Sequence, residues 1–189
     1  MSVTRLSFPY GESIQWFSPN NIPLQPTSPF KDWLLDTGSL TQKLKSHCQQ
    51  FEVIVLGEDK LSPFKEEFPT HDSAWVREVL LCLDGTPWVF ARTLIPSDLL
   101  DNSEFNFIGL GNRPLGELLF TEGEFTPGKI EVSHFTPCQS LAALIQAQGQ
   151  SSQPVWGRRR YFNRQDKHLI VSEIFLPAAR QLIESQQLK

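Results

Sequence analysis

The chain has 189 residues, 40% of them hydrophobic and 20% charged, with a formal net charge of −4. That length suits one domain with a real core. The acidic balance argues against a general nucleic-acid binder, which needs an excess of Lys and Arg for phosphate contacts.

Residues 1–29 carry Pro9, Pro19, Pro23, Pro26 and Pro29 and read as an extended N-terminal arm. Phe8, Tyr10, Trp16 and Phe17 predict that part of it packs on the body, a single domain over 30–189. Phe30 to Leu35 reads as a short helix, and Ser39 is placed to cap a second one running to Gln49. Phe51 to Leu56 alternates as a strand, and residues 57–72 form a polar connection. Residues 74–83 and 86–95 read as strands joined by the hairpin dipeptide Asp84-Gly85. Residues 97–112 are loop-like, and Pro114 opens a helix over Leu115 to Phe120. A strand over Lys129 to Phe135 and a helix over Ser140 to Gln148 come next. A second hairpin over Val155–Asn163 and Lys167–Leu176 leads to Pro177 and a helical tail. Strands outnumber helices and tight turns join them, so the fold class is α+β: one antiparallel sheet with a few packed helices.

The most apolar stretches hold charges. Arg77 and Arg92 lie in the first hairpin, and Glu173 lies in Leu169-Ile-Val-Ser-Glu-Ile-Phe-Leu176. An enclosed charge costs several kcal/mol unless it is paired. These three therefore pair with each other or with other groups, or they wait for a ligand. With Asp84-Gly85 as a two-residue turn, Leu83 faces Thr86, Cys82 faces Pro87, and Arg77 falls directly opposite Arg92 on one face. A slip of one residue would send one arginine to the other face. Two opposed arginines need anions, and Glu173 supplies one charge, so the constellation fits a small dicarboxylate held by guanidinium groups. Structural pairing with Glu78 or Glu173 is the competing explanation.

Other features are weaker. In Trp156-Gly-Arg-Arg-Arg-Tyr-Phe162 alternate arginines on a strand would point outward and be solvated, although the composition also resembles a single-strand nucleic-acid patch. Cys82 reads as core packing rather than a nucleophile. Gly109-Leu-Gly111 falls short of a dinucleotide motif. The amides at the start of the helix after Leu110-Gly-Asn-Arg-Pro-Leu-Gly116 could meet a carboxylate. Cys48, Cys82 and Cys138 form no C-x-x-C pair and point to reduced thiols in a cytosolic protein. The four histidines have no metal-site spacing. No stretch approaches the roughly 18 apolar residues of a membrane span, and the first ten residues lack the apolar region of a secretory signal.

Five blocks together are similar to the bacterial chorismate lyase (chorismate pyruvate-lyase) family. They are Trp75-Val-Arg-Glu-Val-Leu-Leu-Cys-Leu-Asp-Gly-Thr-Pro-Trp, Ala91-Arg-Thr-Leu-Ile-Pro, Arg113-Pro-Leu-Gly-Glu-Leu-Leu-Phe, Trp156-Gly-Arg-Arg and Ser172-Glu-Ile-Phe-Leu-Pro. The resemblance runs from about Phe30 to Pro177 in the same order. It implies a cytoplasmic, monomeric lyase that converts chorismate to 4-hydroxybenzoate and pyruvate, entering ubiquinone biosynthesis without metal or organic cofactor. Helical flaps would close over an internal pocket and slow product release. It also implies a carboxylate-binding arginine at Arg77, a second site arginine at Arg92, a site glutamate at Glu173, a backbone amide contact at Leu115 and a flap position at Leu40. Leu40 stands where the resemblance leads one to expect Met, and Ala91 where it leads one to expect Gly. Cys138 to Gln153 reads as an insertion. The alternative function is a non-catalytic small-carboxylate sensor of the same fold. Such a module is normally fused to a basic DNA-binding domain, and residues 1–73 contain no convincing one.

Overall fold

The computed structural model describes residues 8–70, 72–101, 106–121 and 123–185. In these, six strands form one antiparallel sheet in the order β1-β2-β3-β6-β5-β4, an α+β fold. The strands are β1 (Phe51–Leu61), β2 (Ala74–Leu83), β3 (Thr86–Pro96), β4 (Thr126–Phe135), β5 (Val155–Arg164) and β6 (Lys167–Phe175). The helices are α1 (Phe30–Leu34), α2 (Leu40–Lys45), α3 (Ser97–Asp101), α4 (Leu115–Thr121), α5 (Gln139–Ala147) and α6 (Pro177–Ser185). Ser39 caps α2 as expected, its Oγ accepting from the Gln42 amide at 3.3 Å. The helix is shorter than expected and stops at Lys45. β1 runs five residues past Leu56 into the stretch read as a connection, and α3 forms inside the expected loop.

Both faces of the sheet are covered. On one, α1, α2 and α6 pack Phe30, Trp33, Leu34, Leu40, Leu44 and Ile183 against Val79, Leu81, Ala91 and Phe175. Towards the far end α3 and α4 add Leu99, Leu115 and Leu119 beside Phe162 and Val171. On the other face α5 and the arm residues Tyr10 and Ile14 cover Leu80, Phe90 and Ile174. The arm is tied down by polar contacts as well. Phe17 and Val132 exchange backbone hydrogen bonds, and Glu78 accepts from the amides of Tyr10 and Gly11 at 2.6 and 2.8 Å.

The first hairpin holds the decisive detail. Asp84 and Gly85 both have positive φ, 48° and 80°, and form a two-residue turn of the kind that matches strand twist. Leu83 pairs with Thr86 and Cys82 with Pro87, as expected. The register then shifts by one, because Trp88 is an extra residue on β3 and Leu81 pairs with Val89. The bulge lets two consecutive residues, Trp88 and Val89, enter the same apolar cluster. Beyond it Arg77 pairs with Thr93 and Glu78 with Arg92. The expected Arg77–Arg92 pairing is therefore corrected: the two arginines lie on opposite faces.

Candidate active site

On the helix-covered face two rows of residues cross the middle of the sheet. Arg77, Thr93, Val171 and Arg160 form one; Val79, Ala91, Glu173 and Arg158 form the other. Above them a cavity is bounded by Val53, Arg77, Val79, Leu81, Ala91, Thr93, Val171 and Glu173 from the sheet. Thr41 of α2 and Arg113, Pro114, Leu115 and Gly116 at the start of α4 close it from above. Its empty volume, open mouth included, is about 380 Å³. The walls are mostly aliphatic, with Arg77 and Glu173 as the buried charges among them, 3% and 8% exposed.

Each charge is held by a different element. Arg77 pairs with Glu58, its cross-strand neighbour on β1. Its Nη2 donates to the Gly111 carbonyl at 2.6 Å and more weakly to that of Arg113. The guanidinium thereby fixes the loop that leads into Leu115. Glu173 accepts at Oε2 from Nε of Arg158 at 2.6 Å. Arg158 is among the largest fully buried side chains, and its Nη1 reaches the carbonyls of Trp33 and Asp36. Arg160 donates to the carbonyls of Thr37 and Gly38 and lies over the rings of Phe120 and Phe162. Burial lowers the Arg160 pKa, and the charge of Arg158 adds to that effect. Three buried guanidinium groups on this face thus meet one buried carboxylate, Glu173, and the half-buried Glu58. The excess is positive and suits an anion.

Arg92 stands on the other face in a different setting. Its Nε and Nη2 donate to both oxygens of Glu67, at 2.8 and 3.2 Å, and its Nη1 to Glu78 at 2.7 Å. Burial works to lower its pKa, but the two carboxylates outweigh that and leave it raised. Gly11 of the arm closes over this group: a Cβ there would lie 2.5 Å from the Arg92 Cδ. Arg92 and Glu67 themselves line a smaller hollow, together with Gly11, Glu12, Trp16 and Ser172 among others.

Of the expected site residues, Arg77, Glu173 and Leu115 meet at one cavity. Arg92 does not join them. Leu40 is buried in the cluster that contains Val53, Val79, Leu81 and Ala91, and its neighbour Thr41 lines the cavity. None of the three singled-out charges pairs with another; the partners are Glu58, Glu67, Glu78 and Arg158. The expectation that alternate arginines of the 158–160 run are solvated is also corrected. All three are buried, Arg159 by way of Glu131, Trp16 and the Glu66 carbonyl on the opposite face. Cys82 is core, as expected, and burial followed by the charge of Glu52 pushes its thiol up to about 11. Among the described residues no three His, Cys, Asp or Glu side chains assemble as a metal-binding group, and no helix is long and apolar enough to cross a membrane.

Comparison with known proteins places the chain in a family. The family model described as chorismate lyase matches residues 11–186. The chain belongs to the chorismate lyase family. It is thereby a member of an enzyme family, and the match takes in every element around the cavity. A protein of Shewanella loihica named probable chorismate pyruvate-lyase is 69% identical over 185 residues, covering 97% of this chain and 98% of that one. A protein of Idiomarina loihiensis with the same name is 40% identical over 173 residues, covering 90% and 89%. Among solved structures, the effector domain of PhnF from Mycobacterium smegmatis superposes with a TM-score of 0.56 at 16% identity, covering 76% of this chain and 91% of that one. The ligand-binding domain of a putative GntR-family transcriptional regulator from Bordetella bronchiseptica gives 0.51 at 13% identity, covering 68% and 85%. At such identities the likeness is one of fold.

Proposed function

We propose that this protein converts chorismate to 4-hydroxybenzoate and pyruvate in the cavity bounded by Arg77 and Glu173. One observation carries the assignment: in a chain of the chorismate lyase family, a buried arginine and a buried glutamate line the same narrow, mostly aliphatic cavity. The ring carboxylate lies on the Arg77 guanidinium, with the backbone amide of Leu115 as a second donor. Glu173 lies at the C4 end of the ring and accepts a hydrogen bond from the C4 hydroxyl. The reaction breaks the bond between C3 and the ether oxygen and removes the proton from C4. Pyruvate leaves as its enol and the ring becomes aromatic. Aromatisation makes the step strongly downhill, so the protein's task is to hold a reactive conformer away from water. Arg92 has no part in this assignment, because it faces away from the cavity and its donors are engaged by two carboxylates.

Thr41 of α2 and the start of α4 form the cover, and closure over the ring slows departure of 4-hydroxybenzoate, so added product inhibits. The protein acts as a cytoplasmic monomer, without metal or organic cofactor, at the entry to ubiquinone biosynthesis. The direct test is ultraviolet spectroscopy after mixing with chorismate. Growth of the 4-hydroxybenzoate spectrum with stoichiometric pyruvate supports the assignment. An unchanged chorismate spectrum despite binding would replace it with a non-catalytic carboxylate sensor.

A further inference from the structure

Glu173 is bonded on one side only. Among the described residues its carboxylate takes a single hydrogen bond, from Nε of Arg158 to Oε2. That leaves Oε1 without a hydrogen bond from the described residues, on a side chain that lines the cavity. The two residues are directly opposed on β5 and β6, so the backbone register fixes how far each side chain must reach. Arg158 is enclosed, with its side chain 2% exposed, and it is absent from the cavity lining. A group in that position cannot touch the ring, but it decides where the acid that does touch it can stand.

The remaining donors of Arg158 reach further. Nη1 donates to the Asp36 carbonyl at 2.9 Å and to the Trp33 carbonyl at 3.3 Å. Trp33 is in α1 and Asp36 in the short link to α2. The same link is braced from its own side chains: the Asp36 carboxylate accepts from the Gly38 amide at 2.7 Å and pairs with Lys43 at 2.7 Å. Two residues past that link's end comes Thr41, part of the cavity cover. One planar guanidinium therefore ties the glutamate on the floor to the segment that carries the roof. A lysine could keep the charge beside Glu173, but its single nitrogen cannot reproduce a fork that reaches the carboxylate and both carbonyls.

We propose that Arg158 is a positioning residue that sets the acceptor edge of Glu173 and holds it in register with the α1–α2 cover. This rests on the proposed lyase activity at the Arg77–Glu173 cavity. The test is a double-mutant cycle on kcat, with Arg158→Lys and Arg158→Gln each measured alone and combined with Glu173→Gln. Cooperative thermal unfolding serves as the check that each variant is folded. Because Arg158 acts through Glu173, Arg158→Lys lowers kcat by about 100-fold, the scale of a small misplacement at a reacting centre. The 4-hydroxybenzoate Kd stays within about twofold, since Arg77 holds the carboxylate end. In the Glu173→Gln background either Arg158 variant changes kcat by no more than about twofold further. Losses that multiply in either folded pair would overturn the inference, as would a wild-type kcat in Arg158→Lys. The two levels of failure separate cleanly. A wild-type protein that binds 4-hydroxybenzoate but leaves chorismate intact overturns the lyase assignment and this inference with it. Multiplicative losses in an active wild type overturn the inference alone.

Discussion

Arg77 and Arg92 sit on adjacent strands, equally buried, in stretches of similar sequence, yet they face opposite ways into different chemistry. Arg92 meets two buried carboxylates, and the arm closes over the set at Gly11. One cation against two anions leaves no excess positive charge to offer a ligand, and the arrangement bolts the arm and the 64–68 turn to the sheet. Arg77 meets one half-buried carboxylate and two loop carbonyls, and it opens onto a cavity. With Arg158 and Arg160 it leaves its face positive. Burial of an arginine therefore says little about function by itself. A hollow reaches each of the two arginines, so what distinguishes them is the count of anions: two carboxylates on Arg92 and one on Arg77.

The contrast is open to attack on both sides. The largest effect is expected from Arg92→Leu, which strands two buried carboxylates and should lower unfolding stability by about 3–5 kcal/mol. Urea titration reads this, and any folded fraction should keep its 4-hydroxybenzoate affinity. A stable variant with lost affinity would move Arg92 into the site. Arg77→Ala should weaken 4-hydroxybenzoate binding on the order of 100-fold, measured by calorimetry, with a smaller stability loss than Arg92→Leu. Glu173→Gln should reduce kcat by about 100-fold, at the low end for a proton-handling or orienting acid, while product affinity changes little; a near-normal rate removes Glu173 from the chemistry.

Two smaller effects sharpen the structural side. Gly11→Ala places a methyl 2.5 Å from the Arg92 Cδ and 2.8 Å from Glu78 Oε1. It should cost about 1–3 kcal/mol by overpacking, visible in the same titration, with kcat preserved. Asp36 braces the link to α2. Burial raises its pKa, but Lys43, the Gly38 amide and Arg158 outweigh burial and hold it below its ordinary 3.8. A depressed carboxylate adds stability that is present above its unfolded value and lost as pH falls through the folded one. Asp36→Asn should therefore cost less than about 1 kcal/mol at neutral pH. The difference from wild type should vanish in acid; a difference that persists unchanged there would exclude this ion pair as its source.

Much of this was legible in the residues, and the misses have physical causes. The Asp84-Gly85 turn, the Ser39 cap and the strand runs are local signals, and they located the hairpins, α2 and the antiparallel sheet. The bulge at Trp88 was not legible. In Pro87-Trp-Val-Phe-Ala91 every side chain is apolar because both faces of β3 are covered, so an extra residue breaks no visible alternation. That one hidden residue reversed the facing of Arg92. The run 158–160 misled for the same reason: alternation predicts a solvated face only where a face is solvated, and α1, α2 and α4 cover one side while the arm covers the other. Glu67 lay in a stretch whose polarity reads as loop, with nothing local to mark it as the partner of an arginine 25 residues on. Arg77, Glu173 and Leu115, singled out by the family resemblance, line one cavity even though the register arithmetic fails.

The most direct test of which face binds is a crystal structure of the protein with 4-hydroxybenzoate. The account predicts the carboxylate within hydrogen-bonding distance of the Arg77 guanidinium and the phenol oxygen beside Glu173, with Arg92 still held by Glu67 and Glu78. A ring lying under the N-terminal arm against Arg92, with the Arg77 cavity unchanged, would contradict it.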